Sequence, residues 1–129
     1  MLTTLTFNGF VASGQGNGRK FLELSWVKNQ IQQRLGYIAY SGTLNIKLDE
    51  DSVKLKRILK EAQNIQICPA EGYCFGLIYK ATLSGIECAI VLPEVEGYPE
   101  GILEVIAPLY LRGALNLKDG DAVRVTVDV

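Results

Sequence analysis

A chain of 129 residues with 48% apolar and 21% charged side chains is sized for one domain with a single core and is too apolar to stay disordered. A formal charge of −1 and a pI near 5.4 exclude a broad cationic surface for nucleic-acid backbones and leave room only for a local basic pocket. The longest apolar runs, such as Ala89 to Pro93, fall far short of the roughly 20 residues of a membrane span, so a cytoplasmic single domain over 1–129 is expected, with neither nucleic acid nor membrane as partner.

Residues 2 to 12 alternate, with Leu2, Thr4 and Thr6 on one parity and Leu5 and Phe7 on the other, which predicts a strand running into a glycine-rich loop. Ser25 is suited to cap a helix whose stripe is Val27, Ile31 and Leu35 and whose end is Gly36, and this helix is expected to cover one barrel opening. From Gly42 the chain reads GTLNIKL. There Leu44, Ile46 and Leu48 share one strand face, and Thr43, Asn45 and Lys47 share the other. Asp51 to Gln63 reads as a helix with Val53, Leu55, Ile58, Leu59 and Ala62 buried, and with Lys54, Lys56, Arg57 and Lys60, beside Lys47, forming a solvated cationic face.

Residues 73 to 83 and 85 to 93 read as a strand pair around the turn Ser84-Gly85. After an acidic, proline-flanked loop over 94–101, Ile102 to Ile106 is a short apolar strand, and 108–116 has room for one or two helical turns. The turn Lys118-Asp119-Gly120-Asp121 then leads into the alternating Val123, Val125, Val127 and Val129. About six strands with two inserted helices, at these spacings, fit a mainly β fold built as a small closed barrel rather than parallel βαβ units.

The chain has no histidine, which removes histidine-based triads and imidazole acid–base chemistry, so any catalysis rests on carboxylates, lysine, metal or positioning. Cys68, Cys74 and Cys88 form no C-x-x-C pair and are expected to be reduced, buried fillers. The segment Ser13-Gly14-Gln15-Gly16-Asn17-Gly18-Arg19-Lys20 sets glycines at alternate positions and ends in two cations. Such a loop is either a flexible hairpin connection or a phosphate wrap, in which N–H groups turn toward oxyanions and Arg19 or Lys20 neutralises charge. It lacks the GKS or GKT ending of a P-loop. Thr43 and Asn45 are either a polar strand face or a pair of neutral oxygen ligands for Mg²⁺ shared with nucleotide phosphates.

Taken in order, V-x-S-G-x-G-x-G-R-x-F at Val11 to Phe21, L-G-Y at Leu35 to Tyr37, G-T-L-N-I-K-L at Gly42 to Leu48, L-E-V-I-A-P at Leu103 to Pro108, and L-R with L-K-D-G-D at Leu111 to Asp121 resemble the archaeal CTP-dependent riboflavin kinases. The resemblance spans roughly residues 5 to 127 and is weakest from about 50 to 88. It implies a six-stranded cradle-loop barrel with two or three short inserted helices, acting on CTP and riboflavin with Mg²⁺ to give FMN and CDP; a monomer is expected. By motif position, Gly14, Gln15, Gly16, Asn17, Gly18, Arg19 and Lys20 would surround the nucleotide phosphates, and Leu109, Tyr110, Leu111 and Arg112 would contact the nucleotide. Thr43 and Asn45 would hold Mg²⁺, and Glu104 would touch the flavin and orient its hydroxyl or accept its proton.

Two positions depart from the family pattern: Asn17 stands where glutamate is frequent, and Glu96 where a flavin-contacting threonine is usual. Two other readings fit the same residues: a non-catalytic barrel that senses nucleotide or flavin, and a kinase on this scaffold that uses ATP.

Overall fold

The computed structural model describes residues 3–14, 22–68, 76–94 and 97–128. Strand β1 (Thr4–Ala12) leads to helix α1 (Ser25–Leu35), strand β2 (Leu44–Leu48), helix α2 (Glu50–Lys60) and a short strand β3 (Ile65–Ile67). Strands β4 (Gly76–Leu83), β5 (Ile86–Pro93) and β6 (Ile102–Ile106) follow, then the single helical turn α3 (Leu111–Ala114) and strand β7 (Ala122–Asp128). The sheet order is β3-β4-β5-β6-β2-β1-β7, and β7 also pairs with β4 through Thr82↔Thr126 and Leu83↔Val125. That last pairing closes six antiparallel strands into a barrel and leaves β3 as a flank on β4.

Alternation along each strand sorts side chains between two clusters. Leu5, Phe7, Val11, Leu44, Ile46, Leu48, Tyr79, Leu83, Leu103, Val105, Val125 and Val127 fill the barrel interior. Ile78, Ala89, Val91 and Ile106 point the other way and meet Val27, Ile31 and Leu35 of α1, together with Ile67. Helix α1 therefore covers the outer face of β4, β5 and β6 rather than a barrel opening, because its stripe matches the outward parity of those strands. It is α2 that adds Leu59 to the interior cluster, with Val53, Leu55 and Ala62 packed against it.

Local chemistry accounts for the element ends, with some departures from the sequence reading. Asp49 caps α2 by accepting from Ser52 N at 2.8 Å, and the buried Ser52 hydroxyl accepts from Asn8 N at 2.8 Å, which ties the helix to β1. Ser25 is the first helical residue of α1 rather than its cap: Leu24 holds the cap position with no side-chain hydrogen bond, and Gly36 ends the helix in the left-handed region. Ser84 and Gly85 both have positive φ, 50° and 78°, the geometry that lets a two-residue turn follow the strand twist. Gly9 has no substitute, since a Cβ there would stand 2.3 Å from the Lys47 carbonyl oxygen of β2.

Three expectations are corrected outright. Ile58 is exposed rather than part of the buried stripe of α2, and Lys56 is buried rather than solvated. Cys68 is disulfide-bonded, whereas Cys88 is the buried free thiol that was expected; Cys74 and Val129 lie outside the described residues. No helix among the described residues is long and apolar enough to cross a membrane.

Candidate functional site

Beside β2, a cleft of about 660 Å³ opens on the barrel, walled by 13–14, 40–45, 98–99, the outer face of β6 and 109–112. The strand register builds its floor. Asn45 of β2 stands opposite Glu104 of β6 on one side and Ala12 of β1 on the other, while Leu44, Ile46 and Leu48 turn into the barrel. A polar strip of Thr43, Asn45 and Glu104 is thus set on a rigid apolar wall.

Three hydroxyl or amide contacts organise that strip. The Thr43 hydroxyl donates to Glu104 Oε1 at 2.7 Å, and Asn45 Nδ2 lies 3.5 Å from the same hydroxyl. The Tyr98 hydroxyl donates to Glu104 Oε2. Glu104 is only 8% exposed, so both of its carboxylate oxygens need these donors. Burial and the neighbouring Glu104 push the Tyr98 phenol well above its ordinary range, which keeps it a donor.

Lys56 underlies the far wall. Its ammonium donates to the carbonyls of Ile102 at 2.7 Å, Glu100 at 3.3 Å and Pro99 at 3.4 Å, and lies 5.2 Å from the centroid of the Tyr98 ring. Burial lowers its pKa from 10.5 to about 8, aided by Lys60 and opposed by Glu100 and Glu104.

At the other end of the cleft, Arg112 donates to Asp119 Oδ1 at 2.7 Å and to the Ala12 carbonyl at 3.1 Å. The Ser13 hydroxyl donates to the second oxygen of Asp119, and these two donors hold the exposed carboxyl below its usual range, Ser13 first and Arg112 next. Tyr110 stacks on Tyr40 with ring centroids 5.0 Å apart and 29° between planes, and both rings are partly exposed at the rim.

Of the residues expected at a site, Gly14, Thr43, Asn45, Glu104, Leu109, Tyr110, Leu111 and Arg112 all line this cleft. Leu111 does so as a member of the interior cluster. Gln15, Gly16, Asn17, Gly18, Arg19, Lys20 and Glu96 lie outside the described residues. Tyr40, Lys56, Tyr98 and Asp119 were not singled out as site residues. Only Asp119 had a signal, the Lys118 to Asp121 turn that the chain brings back against β1 through Gly120 N to Val11 O at 2.8 Å.

Could this strip hold a magnesium ion? Among the described residues no cluster of three or more carboxylate, thiol or imidazole groups forms a metal cage. The Thr43 hydroxyl keeps a lone pair, and the Asn45 amide presents its oxygen to the same space after a half-turn of the amide. Two neutral oxygens near a carboxylate fit a hard cation that takes its remaining ligands from phosphates and water.

A small β-barrel with a polar strip between Gly14 and a buried glutamate defines a class of compact ligand-binding domain, and similarity to known proteins assigns it further. Residues 11–127 match the family model described as "Domain of unknown function DUF120", whose label abbreviates CTP-dependent riboflavin kinase, and the chain belongs to this family. It is similar to the riboflavin kinase of Archaeoglobus fulgidus, 41% identical over 128 residues, covering 96% of this chain and 55% of the relative. The riboflavin kinase of Pyrobaculum aerophilum is 38% identical over 133 residues, covering 98% of this chain and 62% of the relative. That of Ignicoccus hospitalis is 39% identical over 127 residues, covering 95% and 71%. The chain therefore spans little more than half the length of the first two relatives.

Proposed function

We propose that this chain is a riboflavin kinase that transfers the γ-phosphoryl group of CTP to the terminal ribityl hydroxyl of riboflavin, giving FMN and CDP. The observation that carries the reading is the convergence of Gly14, Thr43, Asn45 and Glu104 on one cleft, although they come from the end of β1, from β2 and from β6.

Phosphoryl transfer passes through a loose transition state, so the site has mainly to align the attacking oxygen with phosphorus and to stabilise spreading charge. The hydroxyl oxygen bonds to the γ-phosphorus as the bond to the CDP oxygen breaks, and the hydroxyl proton leaves to an acceptor. Gly14 opens the loop that takes the nucleotide phosphates, with Arg19 or Lys20 as counter-charge, and 109–112 takes the nucleoside end. Thr43 and Asn45 would hold Mg²⁺, which when bound supplies charge neutralisation of the phosphates. Glu104, fixed by two hydroxyl donors, receives a donor of the flavin or its ribityl chain when one of those donors is exchanged. CTP, rather than ATP, is taken from the family label.

The test is incubation with riboflavin, Mg²⁺ and, separately, CTP, ATP, GTP and UTP, with FMN followed by chromatography. FMN is expected with CTP well ahead of the others. Equal or better use of ATP removes the CTP assignment, and no FMN with any nucleotide favours a non-catalytic sensor.

A further inference from the structure

A lysine on the middle turn of an amphipathic helix ordinarily snorkels to water, yet Lys56 is only 4% exposed. Its neighbour Arg57 does what that helix face predicts and pairs in solvent with Glu100 at 3.2 Å. Lys56 instead turns its ammonium into the underside of the 98–102 segment, where three carbonyls match the three protons of the ammonium. Among the described residues no carboxylate is its hydrogen-bond partner there, and the ammonium is bonded to carbonyls while Glu100 and Glu104 act on it only from a distance, an arrangement that costs free energy unless the geometry it enforces is needed.

What that geometry enforces can be followed atom by atom. The held segment begins at Tyr98, whose ring lies under the ammonium, and ends at Ile102, two residues before Glu104 on β6. The Tyr98 hydroxyl is the donor to Glu104 Oε2, while Thr43 is the donor to Oε1. Thr43 rides on the barrel wall next to β2, but Tyr98 belongs to a loop and has no strand to hold it. The only buried cation that ties this loop down, among the described residues, is Lys56.

We propose that Lys56 is a positioning residue for riboflavin: by clamping the 98–102 segment it fixes Tyr98, and through the Tyr98 hydroxyl it sets the orientation in which Glu104 meets the flavin. The proposal rests on the reading of Glu104 as the flavin contact. Lys56 touches neither substrate, and the nucleotide end of the cleft, at Arg112 and Asp119, is braced by separate bonds. Its effect therefore falls on riboflavin and spares CTP.

Steady-state kinetics of Lys56→Met, Lys56→Gln, Tyr98→Phe, Glu104→Gln and the double variant Lys56→Met/Tyr98→Phe test this, with a thermal melt of each to establish folding. Losing a charge-linked hydrogen bond is expected to raise KM for riboflavin roughly tenfold in Lys56→Met, with KM for CTP within about twofold of wild type. The double variant is expected to be no worse than its worse parent. Should Lys56→Met not fold, Lys56→Gln, which retains a donor for the Ile102 carbonyl without the charge, is read in its place. A folded Lys56 variant with unchanged riboflavin KM, an equal rise for both substrates, or additive losses in the double variant overturns the proposal while Glu104→Gln still weakens riboflavin. An unchanged riboflavin KM in Glu104→Gln overturns it together with the reading on which it rests.

Discussion

Gly14 lies so close over the side chain of Asn45 that a Cβ at position 14 would stand 2.3 Å from Asn45 Nδ2. The end of β1 pairs with β2 through Ala12↔Asn45, so the chain must cross this amide two residues later with no room for a side chain. The same contact brings the first glycine of the loop to the proposed metal ligand.

Gly14→Ala follows directly. The backbone there is not in the left-handed region, and the atom in the way is the end of a side chain, so the fold survives and the Asn45 amide is displaced instead. Unfolding free energy is expected to change by about 0.5 kcal/mol or less, while kcat/KM for CTP falls about 100-fold if, as proposed, Asn45 is a metal ligand. Denaturant melts and kinetics across Mg²⁺ concentrations check this; near-normal turnover would mean that Asn45 is free to move without consequence.

Thr43→Val and Asn45→Leu keep approximate volume and delete oxygen donors. Each is expected to lower kcat by at least about 100-fold, since a bound metal contributes several kcal/mol to phosphoryl transfer. Thr43→Val also strips Glu104 Oε1 of its 2.7 Å donor and is expected to lose about 1 kcal/mol of stability, whereas Asn45→Leu should not. Normal rates in both at every Mg²⁺ concentration would reduce the pair to a polar strand face.

Asp119 links the Ser13 hydroxyl to the Arg112 guanidinium across the mouth of the cleft. Asp119→Asn weakens both bonds and is expected to raise KM for CTP roughly twofold to fivefold. The carboxyl is held below its usual range, so its contribution is complete above that range and is lost as pH falls through the lowered value. Wild-type KM for CTP should therefore rise toward that of the variant in acid, and a gap that stays constant with pH would exclude the charge as its cause.

How far was this legible in the residues? The alternation Val123, Val125, Val127 and the hairpin at Ser84-Gly85 announced β7 and the β4–β5 pair, because inward parity and positive φ are local properties. The face shared by Thr43 and Asn45 was equally local. Strand β3, three residues long, left no periodic signal and exists through its pairing with β4. Lys56 was unreadable for a different reason: its spacing from Ser52 and Leu59 sets it on the buried side of α2, but a lysine there ordinarily reads as a solvated charge, and it is the return of 98–102 over α2 that encloses its ammonium. Tyr98 and Glu104 are six residues apart, but their meeting depends on the loop between them doubling back.

Lys56 also has a measurable consequence for stability. Burial, with Lys60 adding to it, holds the ammonium's pKa at about 8 instead of 10.5, against the opposing influence of Glu100 and Glu104. Among the described residues the Tyr98 phenol also faces it, and stays neutral across this range because its own pKa is raised. In the window between about 8 and 10.5 the unfolded chain binds a proton that the folded chain has released, so unfolding free energy rises with pH there. Below that window both states are charged and the desolvation cost of the ammonium is carried in full. Lys56→Met removes the titrating group and leaves every other one in place. Denaturant unfolding of wild type and variant at about pH 7 and about pH 9.5 should show the stability difference moving in favour of wild type at the higher pH, on the order of 1 kcal/mol. A difference that is flat over this interval would mean that Lys56 keeps an ordinary pKa and that its three carbonyl bonds offset the cost of its burial.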